Sequence, residues 1–278
     1  MPRTLRIGRR NSTFQVLQSL RANRQKRHRS GRFLLEGVLP ITQARRHGWQ
    51  FDAVLYAAGA RLSSWASEVV AESAADRYEL DPPLLDALSG RDDPSELLAL
   101  VRMPGGSLDR IPPRADLFVV LIDRPANPGN LGSLIRSCDA LGGHGVIVTG
   151  HGVDVYDPST LAASRGSLFA LPVVPADSHA SAERWVADVR AAVGTCHLVG
   201  ADERASIDAA DHDFRGPTVI VLGNEASGLS RAYRELCDVL VRIPMTGSAT
   251  SLNLAAAGAI LLYEGAQQRR RDHTRRGT

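Results

Sequence analysis

Residues 117–143 read LFVVLIDRPANPGNLGSLIRSCDALGG. The run Leu117–Ile122 is continuously apolar, so it needs burial on both faces. A parallel strand flanked by helices supplies that. The chain then turns polar through DRPANPGN, and LGSLIRSCDALGG follows as a helix of small and apolar residues. The loop therefore sits at the carboxyl end of a buried strand, where open parallel sheets hold their ligands. The same reading extends to GVIVT (145–149), HLVGA (197–201), TVIVLG (218–223) and DVLVRI (238–243) as strands. Helices are expected over 130–142, 181–193 and 252–268. The pattern predicts an α/β domain over 115–268.

Upstream, the pattern starts again on a smaller scale. In 11–24, Phe14, Leu17 and Leu20 recur every three residues, and Asn11 or Ser12 can cap the start. RFLLEGV (32–38), FDAVLYA (51–57) and LLALVRM (97–103) read as strands. Helices are expected around 39–47, 62–74 and 82–91. This predicts a small α/β domain over 31–106, after a basic extension at 1–30. PGGSLDRIPPR (104–114) is rich in proline and glycine, and 107–114 is read as the linker. A basic tail is expected at 269–278.

Composition bounds the function. The 278 residues are 44% hydrophobic and 23% charged, which excludes wholesale disorder. No apolar stretch approaches the ~20 residues of a membrane helix. The first residues lack the apolar core of a signal peptide, so secretion is not expected. Three cysteines, Cys138, Cys196 and Cys237, lie far apart without a CxxC, which fits a reducing cytoplasm. The histidines form no HExxH pair, and no metal site is expected.

The net charge is only +3, but ten of the 33 basic residues fall within residues 1–32, where there is no acid. Arginine forks grip phosphate and stack on bases, so Arg24, Lys26, Arg27, Arg29 and Arg32 are candidate RNA contacts. A solvated, non-binding terminus is the competing reading.

Three loops carry polar residues at strand ends. In the first, Asn130 opens a helix as a candidate cap, and Arg136 stands in an otherwise small and apolar helix, where arginine needs a reason. The loop is neither GxGxxG nor a P-loop, which disfavours a dinucleotide or nucleotide-triphosphate enzyme. In the second, Leu222–Ser230, Gly223 and Gly228 permit close approach, with Glu225 between them. Alone, this loop is explained as well by an ordinary strand-to-helix turn with a first-turn acid. In the third, IPMTGSATSLN (243–253) leads into LAAAGAILLYE; Ser251 is the expected cap, and Asn253 is harder to explain that way.

Taken together, NxGNxGxxxRxxxALG, LGNExxGLS and IPMxGxxxSLN, in this order, resemble the three motifs of the TrmH (SpoU) branch of the SPOUT methyltransferases. The resemblance covers about 115–265. FLLEG at 33–37 is similar to the L30e-like RNA-binding domain of many relatives. RxKRxRxGxFLxxGVxPI, DRPxxPGN and DVYDP extend the likeness through nearly the whole chain, toward members that methylate uridine of 23S rRNA and confer antibiotic resistance.

The resemblance implies a trefoil-knotted α/β domain, an obligate homodimer, and S-adenosylmethionine as cofactor. It implies 2′-O-methylation of RNA, most closely of 23S rRNA. Arg136, Asn130, Glu225, Ser251 and Asn253 would be the catalytic positions. Gly200, Ala201, Gly223, Asn224, Glu225, Gly228, Ile243, Pro244, Met245, Ser251, Leu252 and Asn253 would line the cofactor site. Arg165 would lie near cofactor or RNA, and Arg136 would reach the partner's site. The alternatives are a tRNA or another rRNA position as target, or a non-catalytic RNA-binding protein that kept the fold.

Overall fold

The computed structural model describes residues 2–90 and 93–276, and side chains throughout these except His273, Arg275 and Arg276. The last two residues of the expected basic tail, and residue 91 of the expected helix 82–91, lie outside them. The chain divides into two compact units. One runs to Gly105 and includes Tyr156–Ala170; the other is Gly106–Val155 with Leu171 onward.

The first unit is a five-stranded sheet. Its strands are β1 (Thr4–Ile7), β2 (Arg32–Glu36), β3 (Phe51–Ala57), β4 (Asp76–Leu80) and β5 (Leu97–Arg102), in the order β1-β4-β3-β5-β2. β1, β4 and β3 are parallel, and β5 runs antiparallel to both β3 and β2. Five helices are interleaved: α1 (Ser12–Ala22), α2 (Arg24–Ser30), α3 (Val38–Arg46), α4 (Ser64–Glu72) and α5 (Pro82–Leu88). The three-residue recurrence in α1 does what its spacing requires. Phe14, Leu17 and Leu20 are buried with Leu84, Leu85 and Leu88 of α5 and with Leu55 and Leu98 of the sheet.

Residues 1–30 were expected as an extension, yet they supply β1, α1 and α2 of this unit. The edge strand β1 and its neighbour β4 escape sequence reading because TLRI is short and mostly exposed and DRYEL is charged and only half-buried.

The second unit is built on a seven-stranded, wholly parallel sheet. Its strands are β6 (Phe118–Asp123), β7 (Gly145–Thr149), β8 (Val173–Ala176), β9 (His197–Ala201), β10 (Ile207–Asp208), β11 (Thr218–Leu222) and β12 (Val239–Arg242), ordered β10-β12-β9-β11-β6-β7-β8. The helices are α6 (Pro128–Ala140), α7 (Pro158–Ser164, counted with the first unit), α8 (His179–Val193), α9 (Arg231–Leu236) and α10 (Leu254–Arg276). Every residue of β6, β7 and β11 is buried, as the apolar runs demand. β8 was missed because Pro175 breaks its pattern; proline is tolerated there at a sheet edge. Strands β6 and β11 are neighbours although four strands separate them in the chain, so the order switches direction there. That places a ligand crevice at their carboxyl ends.

Two expectations are corrected. The linker is not loose: Ile111 is fully buried in the core of the second unit, and its carbonyl accepts from Trp185 Nε1 at 3.1 Å. Nor is Arg269 a tail charge. It lies within α10 and donates to the carbonyls of Phe214, Asp116, Leu117 and Gly216, and its guanidinium stacks 4.3 Å from the Phe118 ring centre. Burial pushes its pKa down to about 10, still charged at neutral pH.

Replacing this clamp leaves several carbonyls without donors. Arg269→Met is expected to cost about 3 kcal/mol, read as a lower midpoint in urea unfolding. Nearby, His144 Nδ1 accepts from Phe118 N at 3.0 Å, which requires the neutral ring, and burial holds its pKa below the usual histidine value. The unfolded state then binds more protons, so stability is present at neutral pH and declines as pH falls below about 6.5. Urea midpoints at pH 7.5 and 5.5 check this, and His144→Gln should flatten part of the difference.

Candidate functional site

The second unit's loops converge where the strand order switches. β6 ends in Asp123, whose buried carboxylate accepts from Arg124 Nε at 3.0 Å and from Ser230 N at 3.1 Å, joining the first loop to the second. The cap of α6 is Asn127, not Asn130: its Oδ1 accepts from Asn130 N at 3.0 Å. This frees the Asn130 side chain for other work.

That work is visible in a chain of hydrogen bonds. Glu225 accepts from Ala126 N at 2.8 Å, from Asn127 N at 3.1 Å and from Asn130 Nδ2 at 3.2 Å. Asn130 Oδ1 in turn accepts from Asn253 Nδ2 at 2.9 Å. Asn253 Oδ1 accepts from Ala255 N at 2.9 Å and Ala256 N at 3.3 Å, so Asn253, rather than Ser251, caps α10. Three loops distant in sequence are thus tied by one carboxylate and two amides. Burial would raise the Glu225 pKa, but the N–H groups of Ala126 and Glu225 itself, the Asn130 amide and Asn127 N–H outweigh it. The net pKa lies below the ordinary carboxylate value.

The second loop closes on itself. Asn224 and Gly228 exchange backbone hydrogen bonds of 2.9 Å in both directions, with Gly228 at φ 66°. A Cβ on Gly223 would come 2.1 Å from the Gly228 carbonyl carbon, so only glycine fits. Asn224 Nδ2 donates to Arg124 O at 2.7 Å, and its Oδ1 accepts from Ala226 N at 2.9 Å.

The second and third loops and the ends of β9, β11 and β12 line a cavity of about 500 Å³. That is an ordinary small-ligand size, roughly 300–1,000 Å³. Ala201, Gly223, Asn224, Glu225, Gly228, Ile243, Met245, Ser251 and Leu252 line it. The lining unites Leu222, Ile243, Met245 and Leu252 with main-chain groups and carboxylates, a surface suited to an adenine ring beside a cationic group.

Three expected residues are not part of this wall. Gly200 faces protein: a Cβ there would meet Leu240 at 2.6 Å and Cys237 Sγ at 2.8 Å, so its glycine serves strand packing. Pro244 is exposed beside the cavity, and Asn253 acts through Asn130. The sequence reading missed Asp202, Glu203, Arg204 and Arg234, which also line the cavity. Asp202 is buried and ion-paired to Arg234, and it accepts from Arg204 N at 2.9 Å. Their signal was weak, since ADER simply follows a strand.

Arg136 lies on the exposed face of α6, outside the cavity lining of its own chain. In the first unit, Arg24, Lys26 and Arg29 are exposed on α2, capped by Asn23 and closed by Gly31 at φ 63°. Arg32 is exposed and paired with Asp52. Arg27 is corrected as an RNA contact. It is only 3% exposed, donates to Leu20 O at 3.0 Å and Arg21 O at 2.8 Å, and faces Asp157 at 3.8 Å. It ends α1 by binding the helix's last carbonyls. Among the described residues no cluster of three metal-binding side chains occurs, and no helix is long and apolar enough to cross a membrane.

Residues 117–263 match the SpoU rRNA Methylase family, and residues 11–99 match the SpoU L30e-like domain. Over 269 residues the chain is 48% identical to a 23S rRNA (uridine(2479)-2'-O)-methyltransferase of Streptomyces viridochromogenes, covering 96% of this chain and 94% of that one. The crystal structure of the SpoU methyltransferase AviRb from that organism, in complex with AdoMet, superposes with a TM-score of 0.90 at 49% identity, over 94% of this chain and 98% of that one. An AdoMet-bound rRNA methyltransferase from Sinorhizobium meliloti superposes with a TM-score of 0.83 at 28% identity, over 95% and 98%.

Glu225→Gln turns one acceptor into a donor facing N–H groups. We expect about 1–3 kcal/mol lost from the loop network, read as a lower melting temperature together with weaker S-adenosylmethionine binding in calorimetry.

Proposed function

The chain belongs to the SpoU rRNA Methylase family, and on that premise we propose that it is an S-adenosylmethionine-dependent enzyme that methylates a ribose 2′-hydroxyl of 23S rRNA, with uridine as the target nucleoside. The observation that carries this is the cavity at the sheet's switch point, whose loops are tied together by the Glu225–Asn130–Asn253 chain. The 48% identity to a uridine methyltransferase along nearly the whole chain supports the nucleoside. Such a methyl group, placed where a drug binds the ribosome, would give antibiotic resistance, and we extend the proposal to that role. We also propose that the segment leading into α10 passes through a loop as a trefoil knot. The insertion of β11 between β9 and β6 supports a return of the chain through the sheet's centre.

Bound S-adenosylmethionine supplies a methyl group on a sulfonium with a good leaving group. The residues of the chain hold and align. Ile243, Met245 and Leu252 would flank its adenine, and the 223–228 loop would meet it with main-chain groups. Asn130, Glu225 and Asn253 keep the three loops in register. Alignment of this kind supplies about 7–11 kcal/mol of a displacement's barrier. Arginine is a poor base, because its delocalised guanidinium holds its proton strongly. Arg136 is therefore assigned to grip the phosphate of the target nucleotide and stabilise developing negative charge on the 2′-oxygen, while the proton passes to phosphate or water.

The exposure of Arg136 supports a homodimer in which it serves the partner's cavity. Tyr263 and Ile260, 55% and 42% exposed on α10, offer apolar surface beside α6 for that contact. Subunit complementation tests the arrangement. Arg136→Ala and Leu252→Arg, each inactive alone, should recover about a quarter of wild-type methyl transfer to 23S rRNA when mixed and reassembled, because half the dimers then hold one complete site. No recovery would place Arg136 in its own chain's site. Arg136→Lys keeps the charge but loses the fork, and should reduce kcat by about a hundredfold.

A further inference from the structure

The first unit holds a second cavity, of about 540 Å³, that the reaction just described does not use. Its floor is apolar, with Leu34 and Leu98 of the sheet facing Leu161 of α7. Two arginines border it. Arg21 is fixed in place: Nη1 donates to Leu88 O at 2.6 Å, and the guanidinium lies so close over Gly90 that a Cβ there would come 2.2 Å from Nη2. Arg165 is different. Its backbone N–H donates to Ala162 O at 3.3 Å, but its guanidinium is exposed and has no hydrogen bond or ion pair among the described residues.

The Arg165 backbone carries the second clue. It is the residue after α7, in the left-handed region at φ 51°, where glycine or asparagine is favoured. Among the described residues only Arg124 shares a positive φ without being glycine, and Arg124 is bound to Asp123. The strain at Arg165 has no such return inside the protein. A strained backbone that carries a side chain with nothing to hold is a sign of a ligand. The turn is also built to keep it there. Gly166 follows at φ 95°, and a Cβ on it would come 2.8 Å from Gln43 Cγ. Trp49 Nε1 donates to Phe169 O at 3.1 Å, and Tyr156 stacks on Phe33 at 4.9 Å. Glu36, the one acid among the described lining residues, is occupied by Ser89 Oγ, Gly90 N and Ser95 N.

We propose that this cavity takes one unstacked nucleotide of the substrate RNA, other than the one methylated, with its base over the leucine floor and its phosphate on Arg165. The proposal rests on the functional reading above. An apolar slot rimmed by guanidinium groups matches a splayed nucleotide, which pairs a flat π-face with an anion. The exposed cations of α2 in the same unit match the adjoining backbone. The pocket would add target choice beyond the shared methyl-transfer site.

Two variants test it in the full-length protein. Ala162 is exposed on α7 and lines the cavity, so Ala162→Trp fills the slot from outside the core. It should raise the Kd for a 23S rRNA transcript about tenfold, with S-adenosylmethionine affinity and melting temperature unchanged. Arg165→Gly should weaken RNA binding similarly and raise the melting temperature, because the strain is relieved. Wild-type RNA affinity in Ala162→Trp would overturn the pocket. So would an Arg165→Gly protein that loses S-adenosylmethionine binding but keeps RNA binding. Both variants are measured against bulk tRNA as well. If the wild type methylates tRNA in place of 23S rRNA, only the target reading falls, and the pocket is judged on tRNA affinity.

Discussion

The Glu225 carboxylate is the point on which the candidate site depends. It accepts two backbone N–H groups of the first loop and the Asn130 amide, and Asn130 passes the link to Asn253 at the start of α10. The loops have few apolar contacts of their own, and many of their residues are exposed. Their mutual position therefore rests on polar bonds that point one way only. The anionic carboxylate can only accept and N–H can only donate, so the arrangement has one satisfied form. A parallel sheet buried on both faces imposes this solution, because only strand ends are free to carry chemistry.

The same economy recurs at the opposite end of the sheet. Arg269 binds four carbonyls there and fastens α10 to the start of β6 and the residues before β11. Helix α10 is thus fixed at its first turn by Asn253 and near its end by Arg269. For a segment proposed to thread through a loop, anchors at both ends prevent its retreat. The first unit shows a related device, with Tyr156 and Phe169 joined to Phe33 and Trp49 in one aromatic cluster. A crossover between two strands of the second sheet is thereby folded into the first unit.

Continuous apolar runs made the second sheet legible in sequence, since LFVVLI or TVIVL has few other homes than a doubly covered strand. Three loop motifs in a fixed order made the site legible, although each alone reads as an ordinary turn. What escaped reading has physical causes. β1 is short and mostly exposed, β4 is charged and half-buried, and β8 is interrupted by Pro175, so none presents a sustained apolar run. Arg27 and Arg269 looked like surface charge because sequence shows a cation but not the carbonyls waiting for it. The helix caps lie within three residues of the expected ones, Asn127 in place of Asn130 and Asn253 in place of Ser251. Several side chains there can cap, and only geometry picks one. Segment 156–170 carries no sequence sign of which unit it joins, because its aromatic partners lie over a hundred residues away.

The central claim is that methyl transfer goes to a ribose oxygen of 23S rRNA. The most direct measurement is to incubate the purified protein with 23S rRNA and S-adenosylmethionine, digest the RNA to nucleosides and identify the methylated one by mass spectrometry. The account predicts 2′-O-methyluridine, absent when Arg136→Ala replaces the wild type. A nucleoside methylated on its base would contradict it.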